Sequence, residues 1–130
     1  MNATPIVLPA TLKNEEVLFR VLTRSKWREA PLLAFLLEEH ERETGLSVAF
    51  NCTSEEAEAE FDSYGVRSLI ANQVVKLGLK VVPDEPTHAN IQNLPHKEDN
   101  EVEAMRIAEE LSQLSVAVRI RDKRQAKTQP

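Results

Sequence analysis

Cysteine and glycine are scarce in this chain of 130 residues, and each shortage excludes a kind of site. Cys52 is the single cysteine, so an intrachain disulfide and a thiolate metal cluster are both excluded. A protein with so little cysteine fits a reducing compartment, and we expect it to be cytoplasmic. With three glycines in all, a phosphate-binding loop built from successive glycine amides is not expected either.

Aromatic residues and long apolar runs are also few. Only 5% of the chain is aromatic, so the core should be aliphatic, and a stacking platform for single-stranded nucleic acid is not expected. No stretch approaches the roughly 20 apolar residues that span a bilayer, and the N-terminus lacks the pattern of a signal peptide. The sequence has no GxSxG, HExxH or glycine-rich nucleotide motif. We therefore predict no membrane association, no cofactor and no metal.

Charge is divided unevenly along the chain. Residues 119–130 hold five basic residues against one acidic residue, so this segment carries +4 and the rest carries −9, for a total of −5. An acidic body disfavours binding to duplex nucleic acid, because each phosphate contact needs a cation. We expect nucleic acid to bind, if at all, only through the basic tail, and we expect that tail to be frayed.

The length and the hydrophobic pattern predict one α+β domain over residues 1–118. LSVAF at 46–50 alternates apolar and polar residues, as a half-buried strand does, and residues 116–120 alternate in the same way. Between them, Asn100 is a good N-cap for an amphipathic helix that reaches residue 115. We predict a mostly antiparallel sheet with this C-terminal helix packed on one face, and with the arginines of the last strand on its outer face.

Three segments fit either a helix or a strand. Residues 15–23 are apolar on both faces, and their β-branching slightly favours a strand. Residues 32–44 begin apolar and end charged, which suits a helix that stops at Gly45 or a strand followed by a loop. For residues 66–77 our first interpretation is a strand over about 67–75, followed by a turn at 76–78 and a second strand over 79–82, and a helix over 66–77 is the competitor.

The segment from Leu77 to Pro95 holds the most unusual combination of residues. If residues 87–91 (THANI) are extended, His88 and Asn90 point to one side of the sheet and their neighbours to the other. Such a pair can donate and accept hydrogen bonds, and histidine can titrate near neutral pH. The alternative is a structural pair that satisfies backbone groups of nearby loops. In the same segment Asp84, Glu85 and His88 could together supply two or three ligands to one ion, but acids before a proline more often end a strand, so we do not expect a metal site.

Arg20 is the other residue that the pattern singles out. It is the lone cation in the apolar run 15–23, and buried charges are usually paired. We therefore expect Arg20 to meet a carboxylate, with binding of a ligand anion as the alternative.

Several short motifs resemble a group of small bacterial proteins that have no established activity. The shared pattern is an LSV strand, a GVxSL segment and an HAxI segment, here Leu46–Val48, Gly65–Leu69 and His88–Ile91. The resemblance covers residues 17 to 115, although residues 31–43 are more leucine-rich and acidic than the loop found there in the group. It implies a bacterial origin and carries no mechanism.

Two functional hypotheses follow. The first is a non-enzymatic interaction or accessory domain that binds a partner protein or a second copy of itself. The second is a small nucleotide- or RNA-acting enzyme of the bacterial toxin type, whose candidate catalytic residues are Arg20, His88, Asn90 and Tyr64. The second hypothesis requires Arg20 and His88 to converge in one cleft, within about hydrogen-bond reach of a common point.

Overall fold

The computed structural model describes residues 12–125, with side chains through residue 120. The strands are β1 (Val17–Val21), β2 (Leu46–Phe50), β3 (Ser63–Ile70), β4 (Lys80–Glu85), β5 (His88–Gln92) and β6 (Val116–Gln125). The α-helices are α1 (Ser25–Glu29), α2 (Ser54–Ala59), α3 (Ala71–Val75) and α4 (Glu101–Leu114). Two 3₁₀ helices span Pro31–Phe35 and Glu39–Glu41.

The six strands form one sheet in the order β4-β5-β2-β1-β3-β6, and every neighbouring pair is antiparallel. This confirms the predicted α+β class with an antiparallel sheet and a packed C-terminal helix. β4 and β6 are the two edge strands. β4 contains Pro83, which an edge strand tolerates because its missing N–H leaves no gap in the centre of the sheet.

One face of the sheet carries the main core. The inward residues of β1, β2, β3 and β5 pack there against α3, α4 and the 3₁₀ helix at Pro31–Phe35. α4 contributes an apolar stripe at helical spacing, and its N-cap Asn100 accepts a hydrogen bond from the backbone of Glu103. The fully buried side chains of this core include Leu18, Phe35, Leu46, Phe50, Leu69, Ile91 and Leu111.

The opposite face carries a smaller apolar cluster under α2. Val21, Val66 and Ala57 are buried there, with Phe19 and Ala49 packed beside them. Thr53 caps the N-terminus of α2 and forms a capping box with Glu56. Because α2 is short, it does not cover the β5 and β4 end of this face, where His88 remains partly exposed.

The ambiguous segments resolve in three ways. Residues 15–23 contain strand β1, as favoured. Residues 32–44 form neither a long helix nor a strand but two 3₁₀ helices, because Pro31 and the buried Glu41 fix a tighter path. The segment 66–77 splits, with the strand ending at Ile70 and helix α3 occupying Ala71–Val75, so each alternative holds for part of it.

The last strand differs from the prediction in facing and in length. The side chains of Val116, Val118 and Ile120 are 60%, 44% and 54% exposed, whereas Arg119 packs inward toward α2 and pairs with Glu55. The expected basic outer face is therefore wrong: β6 is an edge strand, and the acidic helix α2 offers a partner for an inward arginine. β6 also continues to Gln125, past the boundary we placed at residue 118, and residues 126–130 of the expected tail lie outside the described residues.

Candidate active site

The polar residues of β2, β5 and β4 meet on the face of the sheet that α2 leaves open. In the β2–β5 pairing Ser47 lies opposite Asn90, and Ala49 lies opposite His88. Side chains of opposed residues share a face, so these four project together, while the alternating residues fill the core. The predicted extended conformation of residues 87–91 is confirmed by β5.

Three side chains on this face form a continuous hydrogen-bonded chain. The Ser47 hydroxyl oxygen lies 2.6 Å from Nε2 of His88, and Nδ1 of His88 lies 2.5 Å from Oδ1 of Asp84. An ionised carboxylate only accepts, so the neutral imidazole donates its Nδ1–H to Asp84. Its Nε2 is then an acceptor, and the hydroxyl of Ser47 donates to it. The arrangement is that of a nucleophile, a base and a group that orients the base.

A β-bulge brings Asp84 to the histidine. Pro83 pairs with Ala89 and Glu85 pairs with His88, so Asp84 is the extra residue of β4 at this point. Bulges turn a side chain away from the regular alternation, and here the carboxylate turns toward the ring of His88. The sequence gives no regular periodicity from which this direction can be read.

Asn90 holds the other oxygen of the same carboxylate. Its Nδ2 donates to Oδ2 of Asp84 at 3.0 Å, and Asn90 is buried. Partial burial raises the pKa of Asp84, but the hydrogen bonds from His88 and Asn90 together outweigh it. The pKa of Asp84 therefore lies below its usual value, and the carboxylate is ionised at neutral pH.

A buried ion pair fixes the backbone of Ser47. The pairing of β1 with β2 joins Leu18 to Phe50 and Phe19 to Ala49. Beyond it, the Ser47 N–H donates to Oε2 of Glu41 at 3.0 Å, and its carbonyl accepts from Nη1 of Arg20 at 2.9 Å. The two charged side chains thus take the place of a neighbouring strand.

The Arg20–Glu41 pair is itself well satisfied. Nη1 of Arg20 lies 2.9 Å from Oε2 of Glu41, and both side chains are almost fully buried. Nε of Arg20 donates to the Ala34 carbonyl, and its guanidinium lies 5.1 Å from the ring centroid of Trp27. The prediction that Arg20 meets a carboxylate is confirmed, and Glu41 is the partner.

The hydroxyl and the imidazole open into a cavity of about 250 Å³. Ser47, His88 and Arg20 all line it. Its apolar walls are Phe19, Val21, Trp27 and Phe61, and its polar rim includes Glu38, His40 and Glu41. Arg20 and His88 therefore line the same cavity, which is one part of what the enzyme hypothesis requires.

The four predicted candidates separate in the structure. Arg20 and His88 line the cavity, and Asn90 acts behind it through Asp84. Tyr64 is not among the residues that line it and packs under Arg28, whose guanidinium lies 5.6 Å from its ring centroid. Ser47 was not identified from the sequence as a functional residue. Its position on the polar face of the strand at residues 46–50 was the available indication, but the sequence does not show that β5 pairs with this strand.

Comparison with known proteins adds no assignment. No family model, no curated protein and no solved structure matches this chain. The resemblance to small bacterial proteins stays a prediction. Within residues 12–120, no group of three or more histidine, cysteine or acidic side chains is arranged to hold a metal ion. No helix of the described chain is long and apolar enough to cross a membrane.

Proposed function

We propose that the protein is a small enzyme in which Ser47 is the nucleophile, His88 the general base and Asp84 the residue that orients the imidazole. The supporting observation is the unbroken chain from the Ser47 hydroxyl through His88 to Asp84 at the wall of a cavity. Two supports hold this chain in place, the Arg20–Glu41 pair on the backbone of Ser47 and Asn90 on Asp84. Catalysis depends on such fixed geometry.

The proposed reaction is acyl transfer to serine followed by hydrolysis. Oγ of Ser47 bonds to the carbonyl carbon of the substrate while its proton passes to Nε2 of His88. The bond from that carbon to the leaving group then breaks, and the leaving group takes the proton from His88. A water molecule repeats the sequence on the acyl-serine: His88 accepts its proton, the acid is released, and the serine hydroxyl is restored.

Arg20 supplies the donor for the negative oxygen that forms in this reaction. Three of its N–H groups are used on Ala34, Glu41 and the carbonyl of Ser47. Within the described residues Nη2 forms one hydrogen bond, to Oε1 of Glu41 at the long distance of 3.5 Å, so its second N–H is left for a substrate oxygen. A donor held in place before the reaction stabilises developing charge without reorganisation.

The cavity favours a small acyl compound of no net charge. Its volume of about 250 Å³ lies just below the usual range for drug-sized ligands, and its walls are largely aromatic and aliphatic. Glu38 and Glu41 line it, and the charge of Arg20 is balanced by its ion pair. Such a wall does not attract a phosphate backbone, so we favour a neutral ester or amide over the RNA substrate that the sequence led us to consider.

Hydrolysis of short p-nitrophenyl esters tests the proposal. We expect kcat/KM to fall at least about 100-fold, the lower range for loss of general-base catalysis, in both Ser47→Ala and His88→Ala. Ser68→Ala is the matched control, because Ser68 is a strand serine on the same face of the sheet, opposite Phe19. His40→Ala controls for a histidine that lines the same cavity. Ester hydrolysis that persists in Ser47→Ala contradicts the proposal.

The exposed edge of β6 supports a second candidate, the interaction domain. Val116, Val118 and Ile120 form an apolar row on an edge strand, and unpaired strand edges are templates for pairing with another chain. On this proposal β6 adds to the same strand of a second copy. Sedimentation velocity should then show a dimer that Val118→Lys disrupts, with Val102→Lys on α4 as the control. A monomer at all protein concentrations contradicts it.

A further inference from the structure

A second and larger cavity shares a wall with the first. It has a volume of about 600 Å³, and both cavities are lined by Trp27 and Glu38. Leu33, Leu36 and Leu37 give it an apolar floor that the proposed reaction does not use. At its rim lie His96 and two lysines, Lys26 and Lys97.

His96 presents a fixed hydrogen-bond donor to this cavity. The backbone N–H of Glu98 donates to Nδ1 of His96 at 3.1 Å, and a backbone N–H can only donate. Nδ1 is therefore the acceptor nitrogen, and the proton of the neutral ring lies on Nε2. His96 is only 6% exposed, and among the residues that the structure describes the one carboxylate near Nε2 is that of Glu39, at 3.9 Å, beyond hydrogen-bond distance.

This donor is one that a ligand acceptor would satisfy. Within the described residues Nε2 of His96 forms no hydrogen bond, so its N–H is available to an acceptor atom of a ligand. Glu39 lines the same cavity, its side chain is 77% exposed, and its carboxylate lies 3.7 Å from Arg42. The position of its carboxylate marks where an acceptor oxygen of a ligand would lie.

The charges at the rim favour an anion. Two of the acidic residues that line the cavity are already paired, Glu38 with Arg24 and Glu98 with Arg42. Lys26 and Lys97 form no ion pair with any residue that the structure describes. The charged residues that line the cavity balance, with Arg24, Lys26 and Lys97 against Glu38, Glu39 and Glu98, so the preference for an anion comes from the two unpaired lysines beside a neutral donor.

We propose that this cavity binds a small monocarboxylate with a short aliphatic chain. The carboxylate accepts the Nε2–H of His96 and lies near Lys26 and Lys97, and the chain lies on Leu33, Leu36 and Leu37. The site is separate from the Ser47 chain and does not depend on the function proposed for it. Because Trp27 lines both cavities, a ligand in the second cavity would contact a residue that also forms a wall of the first.

The fluorescence of Trp27, the only tryptophan of the chain, reports on this binding. Titration with acetate, butyrate and hexanoate should give saturable changes, with the dissociation constant falling about fourfold for each added methylene group. Inorganic phosphate, which has the charge without the chain, should bind no better than acetate. Binding that does not strengthen with chain length, or no saturable change with hexanoate, overturns the proposal.

Variants locate the site within the shared wall. Glu39→Gln should tighten hexanoate binding about fivefold, because it removes a like charge near the proposed carboxylate position. Lys97→Gln should weaken binding by a similar factor, and His96→Phe should abolish it. Glu39 and Lys97 are exposed, so these two results do not depend on whether the His96 variant folds. His88→Ala should leave the titration unchanged; if His88→Ala abolishes it and Glu39→Gln has no effect, hexanoate binds in the first cavity and the assignment is wrong.

Discussion

Replacing Arg20 with methionine should destabilise the fold strongly. The substitution removes the cation but leaves the carboxylate of Glu41 buried, together with carbonyl acceptors on Ala34 and Ser47. Breaking a buried ion pair by removing one partner costs about 3–5 kcal/mol, because a charge remains buried without compensation. That is a large share of the roughly 5–15 kcal/mol that stabilises a domain.

Urea unfolding followed by circular dichroism measures the effect. With a slope of about 2 kcal/mol per molar urea for a small domain, the midpoint should fall by roughly 2 M. Arg106→Met is the control, because Arg106 forms ion pairs with Glu103 and Glu110 on the exposed face of α4, and its midpoint should not change measurably.

The double variant Arg20→Met with Glu41→Leu separates charge from packing. Replacing a whole buried pair with apolar residues is often close to neutral, so the double variant should recover much of the stability that Arg20→Met loses. Glu41→Leu alone leaves the guanidinium unpaired and should be nearly as unstable as Arg20→Met. If Arg20→Met changes the midpoint no more than the Arg106 control does, the pair does not hold the end of β2 and our account of the Ser47 backbone is refuted.

Three further predictions follow. Gly45 has a φ of 111°, and a Cβ there would lie 2.6 Å from the carbonyl oxygen of Ile91. Gly78 has a φ of 90° but open space around it, so Gly45→Ala should have a thermal unfolding midpoint well below that of Gly78→Ala. Equal midpoints for the two variants contradict this prediction. Burial raises the pKa of Asp84 but its hydrogen bonds lower it further, so the folded pKa lies below the unfolded value. The stability that ionised Asp84 contributes is present above about pH 4 and is lost as the pH falls through the folded pKa. The difference in urea midpoint between the wild type and Asp84→Asn should therefore disappear in acid. A difference that stays constant with pH contradicts this prediction. Thr53→Ala removes the N-cap of α2 and should cost about 1 kcal/mol in urea unfolding, whereas Thr53→Ser should cost little; equal losses would show that the cap hydrogen bond is not the cause.

Local patterns predicted the elements whose period is strong. The alternation in 46–50 gave β2, and the Asn100 cap with its apolar stripe gave α4. No prediction of a single element for residues 66–77 could be right, because the chain changes from strand β3 to helix α3 after Ile70. The run is mostly apolar on both sides of this change, so its pattern does not mark the boundary. The prediction of which face of β6 is exposed was wrong. Alternation in the sequence shows that the two faces of a strand differ, but it does not show which face another element covers.

The candidate site was only half visible in the sequence. His88 and Asn90 share a face by strand geometry alone, and a lone arginine in an apolar run predicts a carboxylate. Ser47 lies 41 residues from His88 along the chain, and their contact depends on β5 pairing with β2. Nothing local determines that strand order, and the bulge that turns Asp84 toward the ring breaks the alternation from which its direction would be inferred.

Labelling with a fluorophosphonate probe is the most direct test of the central claim, that Ser47 is an activated nucleophile. The intact mass should increase by one probe adduct, and the modified peptide should contain Ser47. Labelling should be lost in His88→Ala, because the hydroxyl then lacks its base, and kept in Ser68→Ala. A wild-type protein that takes up no probe while its urea midpoint shows it to be folded, or an adduct on another serine, would contradict the account.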